Sequence, residues 1–260
     1  MKQIIILLCG IVFFYCNINA QISAQLVGKK FQVVNSLKIT ATISQNGNDM
    51  EIPMTTDLYV TYEIKNVIGR NIQLSGTPDR IKGSSTMQGN ETTYYDTNDS
   101  ASMTSNPIEA EQLETLHKTK DLTAEVGKMP DMADIEQQDQ FGILPLNALF
   151  NPFDKTATKG SKFSDSAKNE NGSKSVTDYV VSKISDSEIT VVATTNTNIS
   201  GMVQNAKVNT QTKSVSIRNY DASSGLLKTA TTDADTSSKQ EISGMSMTTK
   251  MRTTATITVQ

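Results

Sequence analysis

Apolar and polar positions alternate with a period of two over most of the chain, the pattern of strands with one buried face. From Phe31 the odd positions read Phe31, Val33, Asn35, Leu37, Ile39, Ala41 and Ile43, while the even ones are mostly Lys, Thr and Ser. Asn46-Gly47-Asn48 follows, a turn sequence because Asn and Gly tolerate positive φ. Leu58, Val60, Tyr62 and Ile64 share the next face, Gly69-Arg70 interrupts it, Ile72 and Leu74 resume it, and Thr92 to Asp96 predicts a further strand. In the C-terminal third, Tyr179 to Ile184 and Ile189 to Ala193 flank Ser185-Asp186-Ser187. Val215 and Ile217 lead into a second turn sequence, Asp221-Ala222-Ser223-Ser224-Gly225. The last run sets Met245, Met247, Thr249, Met251, Thr253, Ala255, Ile257 and Val259 on one face against Ser, Thr, Lys and Arg on the other. A strand of about fifteen residues is long for a globular protein. The pattern predicts an all-β fold of long antiparallel strands in a strongly curved sheet, a half-barrel or a barrel.

The middle of the chain reads differently. Four of the six prolines, Pro107, Pro130, Pro145 and Pro152, fall there and none follows, as uninterrupted ladders require. Asn106 as N-cap, Pro107 at the first helical position and the spacing of Ile108, Leu113 and Leu116 predict a short helix. Asp121 to Val126 predicts a strand and Asp131 to Gln138 a second short helix. Ile143 to Phe153 is the most hydrophobic stretch after the leader, and Phe141, Phe150 and Phe153 cluster there. This apolar insert is expected to plug the open side of the curved sheet or to act as a lid over a hydrophobic cavity. The organisation predicted is a leader over 1–20, a first meander over 21–100, the helical and apolar insert over 101–159 and a second meander over 160–260, as one structural unit.

Met1-Lys2, the apolar run Ile4 to Cys16 and the small residue Ala20 before Gln21 form a secretory signal pattern, too short to span a bilayer, with cleavage expected between Ala20 and Gln21. Cleavage leaves 240 of the 260 residues and takes the formal charge from −3 to −4, which offers no basic field for nucleic acid. Cys9 and Cys16, the only cysteines, leave with the leader, so disulfides and Cys-ligated metals are excluded from the mature chain. Leu8 and Tyr15 precede them, which is unlike a lipoprotein signal, and no lipid anchor is expected. The expected location is periplasmic, outer-membrane-associated or extracellular, with no transmembrane segment in the mature chain and no cofactor.

Candidate chemistry is sparse. His117 is the only histidine, placed in the predicted helix with no nucleophile elbow near it, and reads as a surface residue. Asp131, Asp134, Glu136 and Asp139, or Asp96 and Asp99, lack the calcium-loop spacing with its central Gly. Asp233 and Asp235 share a strand face, but no apolar pocket raises a pKa there, and they read as a solubilising edge-strand device. No Gly-rich phosphate loop follows a strand. The expected protein is therefore not an enzyme. Met245, Met247 and Met251 form a flexible apolar wall that either fills gaps in the core or lines a greasy site. With Phe141, Leu144, Leu146, Leu149, Phe150 and Phe153 they are the candidate ligand-binding residues.

Gly28-Lys29-Lys30-Phe31 recurs as Gly160-Ser161-Lys162-Phe163. Downstream, Asp57-Leu58-Tyr59-Val60 to Ile64 aligns with Asp178-Tyr179-Val180 to Ile184, and Ile72, Leu74, Ile81 and Gly83 align with Ile189, Val191, Ile199 and Gly201. This suggests a weak internal duplication. The Gly-x-Lys-Phe strand start, the Thr-rich hairpins and the ending Gly225-Leu226-Leu227-Lys228-Thr229 through Gly244-Met245-Ser246-Met247 to Ile257 resemble a secreted Gram-negative family, domain-of-unknown-function family six-two-six-three. The architecture is also similar, more loosely, to the curved-sheet lipoprotein carriers of the bacterial envelope. The resemblance implies an exported all-β protein and no catalytic residue. It also implies O-glycosylation at Asp99-Ser100-Ala101 and Asp165-Ser166-Ala167, hence at Ser100 and Ser166. Three functions follow in order of preference. The first is an envelope protein binding a lipid or apolar small molecule in a curved sheet, and the second a cell-surface structural or protein-interaction module with a filled core. The last is a carboxylate-dependent hydrolase.

Overall fold

The computed structural model describes residues 24–45, 48–86, 92–99, 116–126, 146–153, 156–168, 173–203, 206–242 and 245–260. Within them the alternating runs form β1 (Lys30–Gln45), β2 (Asn48–Ile68), β3 (Asn71–Thr86), β4 (Thr92–Asp96), β5 (Lys120–Glu125), β6 (Lys162–Lys168), β7 (Lys174–Ile184), β8 (Glu188–Val203), β9 (Ala206–Asp221), β10 (Leu227–Ile242) and β11 (Met245–Val259). All lie in one antiparallel sheet ordered β4-β3-β2-β1-β11-β10-β9-β8-β7-β6, with β5 pairing the other end of β3. β2, of 21 residues, spans roughly 70 Å at the usual rise of an antiparallel strand.

The chain enters at the middle of the sheet. β1 pairs β2 on one side and β11 on the other, with Val33 opposite both Val60 and Val259. From there it runs outward through β2 and β3, crosses to the far edge at β6 and returns strand by strand to β1. The sheet is curved and not closed, since no described pairing joins β6 to β4 or β5. Of the half-barrel and barrel alternatives, the open one holds.

One face carries the core, and only at one end of the strands. Phe31, Val33, Val60, Tyr62, Ile64, Ile72, Leu74, Tyr179, Val181, Val191, Tyr220, Leu227 and Ile257 are buried there with Leu26, Ala124 and Val126. Residues 146–153 of the insert pack among them. This segment begins with the 3-10 turn Leu146–Leu149 and continues through Phe150, which bridges Leu226. The bulges gather at this core end. Single extra residues stand at Lys65 in β2 and Asp79 in β3, at Ser182 in β7 and at Lys228 in β10. Each bulge bends its strand and sharpens the local twist, which wraps the sheet around the insert. Two of the six prolines sit inside strands and obey the same logic. Pro78 adjoins the Asp79 bulge, and Pro53 lies one step beyond the last β2–β3 pair, Met54 with Ser85.

Among the described residues the insert contributes strand β5 and the 3-10 turn, and no α-helix. The predicted helix over Asp131 to Gln138 lies outside the described residues, as does most of that over 106–116. His117 is corrected: it occupies a turn with φ 60° rather than a helix face, and its N–H donates to the Pro78 carbonyl at 2.8 Å. Asp233 and Asp235 are corrected too. β10 is interior, between β9 and β11, so these exposed carboxylates do not guard an edge.

The repeat is visible in the hydrogen bonds. Gly28 (φ 82°) donates to the Ile64 carbonyl at 2.8 Å, and Ile64 donates back to Lys29 at 3.1 Å. Gly160 (φ 90°) donates to the Val181 carbonyl at 2.8 Å, and Val181 donates back to Ser161 at 3.0 Å. Both glycines need the left-handed backbone that lets the loop fold onto the strand. Phe31 faces Tyr62 with ring centroids 5.7 Å apart, and Phe163 faces Tyr179 at 5.5 Å, with nearly equal tilts of 30° and 31°. A bulge follows immediately in each copy, at Lys65 and Ser182. Strands β1-β2-β3 are thus repeated as β6-β7-β8. The correspondence sets Ile64 on Val181 and Tyr62 on Tyr179, which corrects the sequence alignment of Ile64 with Ile184.

Candidate functional site

On the core-bearing face the register defines rungs that run across the strands. One rung reads Leu58, Asn35, Ile257, Ala230, Arg218, Val191 and Val181 from β2 to β7. Below it lies the packed core, and above it the face divides in two. On β1, β2 and β11 it continues apolar through Leu37, Ile39, Ile43, Ile52, Met54 and Met251, all half-buried, with Ala41 buried among them. On β7 to β10 the same face is lined with hydroxyls that pair across strands. Thr177 meets Thr195 at 2.9 Å, Ser175 meets Thr197 at 2.7 Å, Thr212 meets Thr236 at 2.9 Å and Thr210 meets Ser238 at 2.9 Å. Such pairs satisfy hydroxyls on a pleated surface that offers no backbone partner. The described segments that cross this face, Ala24–Leu26 and 146–153, both sit at the core end.

The candidate ligand residues separate accordingly. Leu146, Leu149, Phe150 and Phe153 are buried in the core, Leu149 and Phe150 completely. They are structural, fixed by Asn151 N–H donating to the Gly225 carbonyl at 2.8 Å and by Tyr220 Oη donating to the Ala148 carbonyl at 3.0 Å. Burial pushes the Tyr220 phenol above its ordinary value, so it remains a donor. Met247 and Met251 are half-buried on the open part of the face, and Met245 lies on the same strand. Phe141 and Leu144 lie outside the described residues, as do Ser100, Ala20 and Gln21. Ser166 is exposed on edge strand β6, where a modifying group would meet no steric barrier.

One residue of the face was not anticipated. In β9 the aliphatic Val215 and Ile217 point outward, 47% and 49% exposed, while Ser216 and Arg218 point inward, 3% and 5% exposed. Tyr220, fully buried two positions on, fixes this pleat. Arg218 Nε donates to Ser216 Oγ at 3.2 Å, and its guanidinium lies 5.5 Å from the centre of the Tyr179 ring. Thr232 Oγ1 also donates to Ser216 Oγ, at 2.9 Å. The sequence signal was Ser216, Arg218 and Tyr220 in one parity, masked by the two aliphatics in the other.

The opposite face has two grooves. One, of about 520 Å³, includes Lys38, Asp57, Lys82, Tyr94 and Asp96. Its charges neutralise one another. Arg80 grips Asp96 at two points, Lys82 reaches Asp57 at 3.2 Å, and both cations lie over the Tyr59 ring. The second, of about 500 Å³, sets Lys213, Lys250 and Arg252 around Asp235. These are surface side chains on a regular ladder. Among the described residues no three His, Cys, Asp or Glu side chains form a metal-binding group.

Two carboxylates carry an acid signature. Arg80 holds Asp96 down at about 2. Ser223 and Ser224, donating through hydroxyl and N–H, hold Asp221 at about 2. Both values lie below the usual carboxylate value of about 3.9, so the stabilisation is complete above that pH and is lost as pH falls toward 2. The urea midpoint should therefore hold from pH 7 to about 5 and decline below about 4. Asp96→Asn and Asp221→Asn should each flatten that decline relative to the parent chain. An unchanged slope in both would remove these carboxylates from the acid transition.

No family model matches the chain, and no curated protein matches it. The resemblance drawn from its Gly, Thr and Met patterns thus has no family match behind it. Three solved structures show the kind of likeness present. Lipovitellin, in a structure concerned with lipid–protein interactions, aligns with TM-score 0.48 and 11% identity over 90% of this chain and 25% of its own. An outer membrane channel from Pseudomonas putida F1 aligns with TM-score 0.29 and 6% identity over 90% and 96%. The monoaromatic hydrocarbon channel CymD aligns with TM-score 0.18 and 9% identity over 93% and 91%. The chain spans a quarter of the lipovitellin chain. At these TM-scores the likeness carries no argument about function. No described helix is long and apolar enough to cross a membrane, which says nothing of strands.

Proposed function

We propose that this is an exported, non-catalytic binding protein that holds an apolar small molecule or lipid on the open part of its core-bearing face. The observation that carries the reading is the stripe Leu37, Ile39, Ile43, Ile52, Met54 and Met251. It continues the core along three adjacent strands and stays half-buried beyond the last described segment that covers the face. Aliphatic area of this extent gains when a ligand removes it from water. The leader-like first twenty residues support export, with the periplasm, the outer membrane surface or the exterior as destination. The near-even charge favours no nucleic-acid partner.

The test is mass spectrometry of organic extracts from protein purified natively and without detergent. The parent chain should carry an apolar molecule near one equivalent. Ile39→Glu with Met251→Glu should lower that at least tenfold while the fold persists, because both residues stand away from the packed end. A folded parent chain that is empty of any apolar molecule sinks the reading and favours a surface interaction module. Phe150 and Phe153 are unsuitable probes of binding, since they belong to the core.

A further inference from the structure

We propose that Arg218 is the receptor for the anionic headgroup of an amphiphile, a carboxylate or phosphate attached to an acyl chain that lies along the apolar stripe. This rests on the binding function proposed above and names the class of ligand.

The first observation is an uncompensated buried cation. Arg218 is 5% exposed and always charged, yet among the described residues no carboxylate forms an ion pair with it. A guanidinium withdrawn from water without a counter-charge is costly, and native structures that keep one use it to hold a charge or a ligand. Its Nε is occupied by Ser216, and the Tyr179 ring faces the guanidinium. The two terminal nitrogens hold the fork that matches a carboxylate or phosphate with two parallel bonds.

The second observation is the inverted pleat. The sequence could have buried Val215 and Ile217, and instead buries Ser216 and Arg218. Local preference and tertiary placement disagree here, and such disagreements concentrate at functional positions.

The third is the donor set around the cation. Ser216 Oγ accepts from both Arg218 Nε and Thr232 Oγ1, which leaves its own O–H to donate to a further acceptor. An anion seated against Arg218 would thus find guanidinium N–H groups and a pre-oriented hydroxyl. The fourth is position. Arg218 stands on the rung that closes the packed core, and the apolar stripe starts one rung higher at Leu37, across β10 and β11. From Leu37 to Ile43 that stripe runs roughly 20 Å along β1, which suits a long acyl chain with its head at the inner end. The cationic side chains of the opposite face, Lys213, Lys250 and Arg252, lack this combination of burial and adjoining apolar surface.

The experiment uses the full mature chain, delipidated under native conditions, with Nile red as a neutral reporter of the apolar stripe. Oleate and oleyl alcohol are compared as displacers, and inorganic phosphate and acetate are tested alone. Oleate should displace Nile red at least tenfold more effectively than oleyl alcohol. Arg218→Met should abolish that preference while Nile red still binds, and Arg218→Lys should keep part of it. Phosphate or acetate alone should leave Nile red in place. Replacing a buried, unpaired guanidinium by an aliphatic chain of similar reach is not expected to unfold the protein, and the retained Nile red signal checks this. Equal displacement by oleate and oleyl alcohol in the parent chain overturns the headgroup receptor and leaves apolar binding intact. Binding of phosphate or acetate to the parent chain but not to Arg218→Met, without any preference for oleate, makes Arg218 a free-anion site and overturns the amphiphile. Failure of Nile red to bind the folded parent chain overturns both proposals.

Discussion

Phe150→Ala should lower the unfolding free energy by about 3–5 kcal/mol, the range for truncating a fully buried aromatic side chain. The residue has no exposed surface, bridges Leu226 as an antiparallel partner, and lies between the fully buried Leu149 and the buried Asn151. The site has little freedom to collapse onto the void. On one side Asn151 N–H is bonded to Gly225, and just ahead the Ala148 carbonyl accepts from Tyr220. Both attachments reach the β9–β10 corner, while the 3-10 turn touches β5 at the other margin of the sheet. The segment therefore ties two distant parts of an open sheet together, and a cavity at Phe150 loosens both. Urea unfolding followed by circular dichroism gives the measurement. A loss below about 1 kcal/mol, the scale of ordinary surface substitutions, would show that the insert sits on the sheet without holding it.

Much of this fold was legible because its strands are long and one-faced. The alternation of Phe31 to Ile43 and of Leu58 to Ile64 maps directly onto β1 and β2, and even the short run Thr92 to Asp96 appears as β4. The two-residue connection between Gln45 and Asn48 follows from Asn46-Gly47. What periodicity cannot carry is which strand neighbours which. That β1 lies against β11 depends on matching two strand faces more than two hundred positions apart in the chain. Bulges also escape a period-two reading. The extra residue at Ser182 shifts the parity of everything after it in β7, which is why Ile184 looked equivalent to Ile64 when Val181 is.

The candidate site was half legible for a related reason. Met251 and the β1 aliphatics were visible as an apolar stripe, but nothing in the alternation says where the packed core stops along a strand. That limit is set by residues 146–153, whose reach is a tertiary fact. Phe150 and Phe153 therefore looked like ligand contacts and are core. Arg218 was hidden by its neighbours: Val215 and Ile217 claim the inward parity by hydrophobicity, and the buried Tyr220, hydrogen-bonded to the Ala148 carbonyl, overrides them.

The repeated corner makes the second large expectation specific. Ile64→Ala should cost about 2–5 kcal/mol, and Val181→Ala about 1.5–3 kcal/mol, because it removes less buried hydrocarbon. Both side chains are almost fully buried, 0% and 1% exposed. Each is pinned by two backbone hydrogen bonds to its glycine loop and is followed by a bulge. A pinned strand cannot slide to fill a void, so both changes should cost toward the upper part of their ranges. The equivalence also predicts location. Hydrogen exchange in Ile64→Ala should rise first in residues 24–31 and 62–66, and in Val181→Ala in residues 158–163 and 179–183, since the loop bonds there are the shortest route to opening. Exchange that spreads evenly over the sheet in both variants would deny the two corners independent roles. A large cost at Ile64 beside a negligible one at Val181 would mean that the second copy keeps the geometry of the first without its energetic weight.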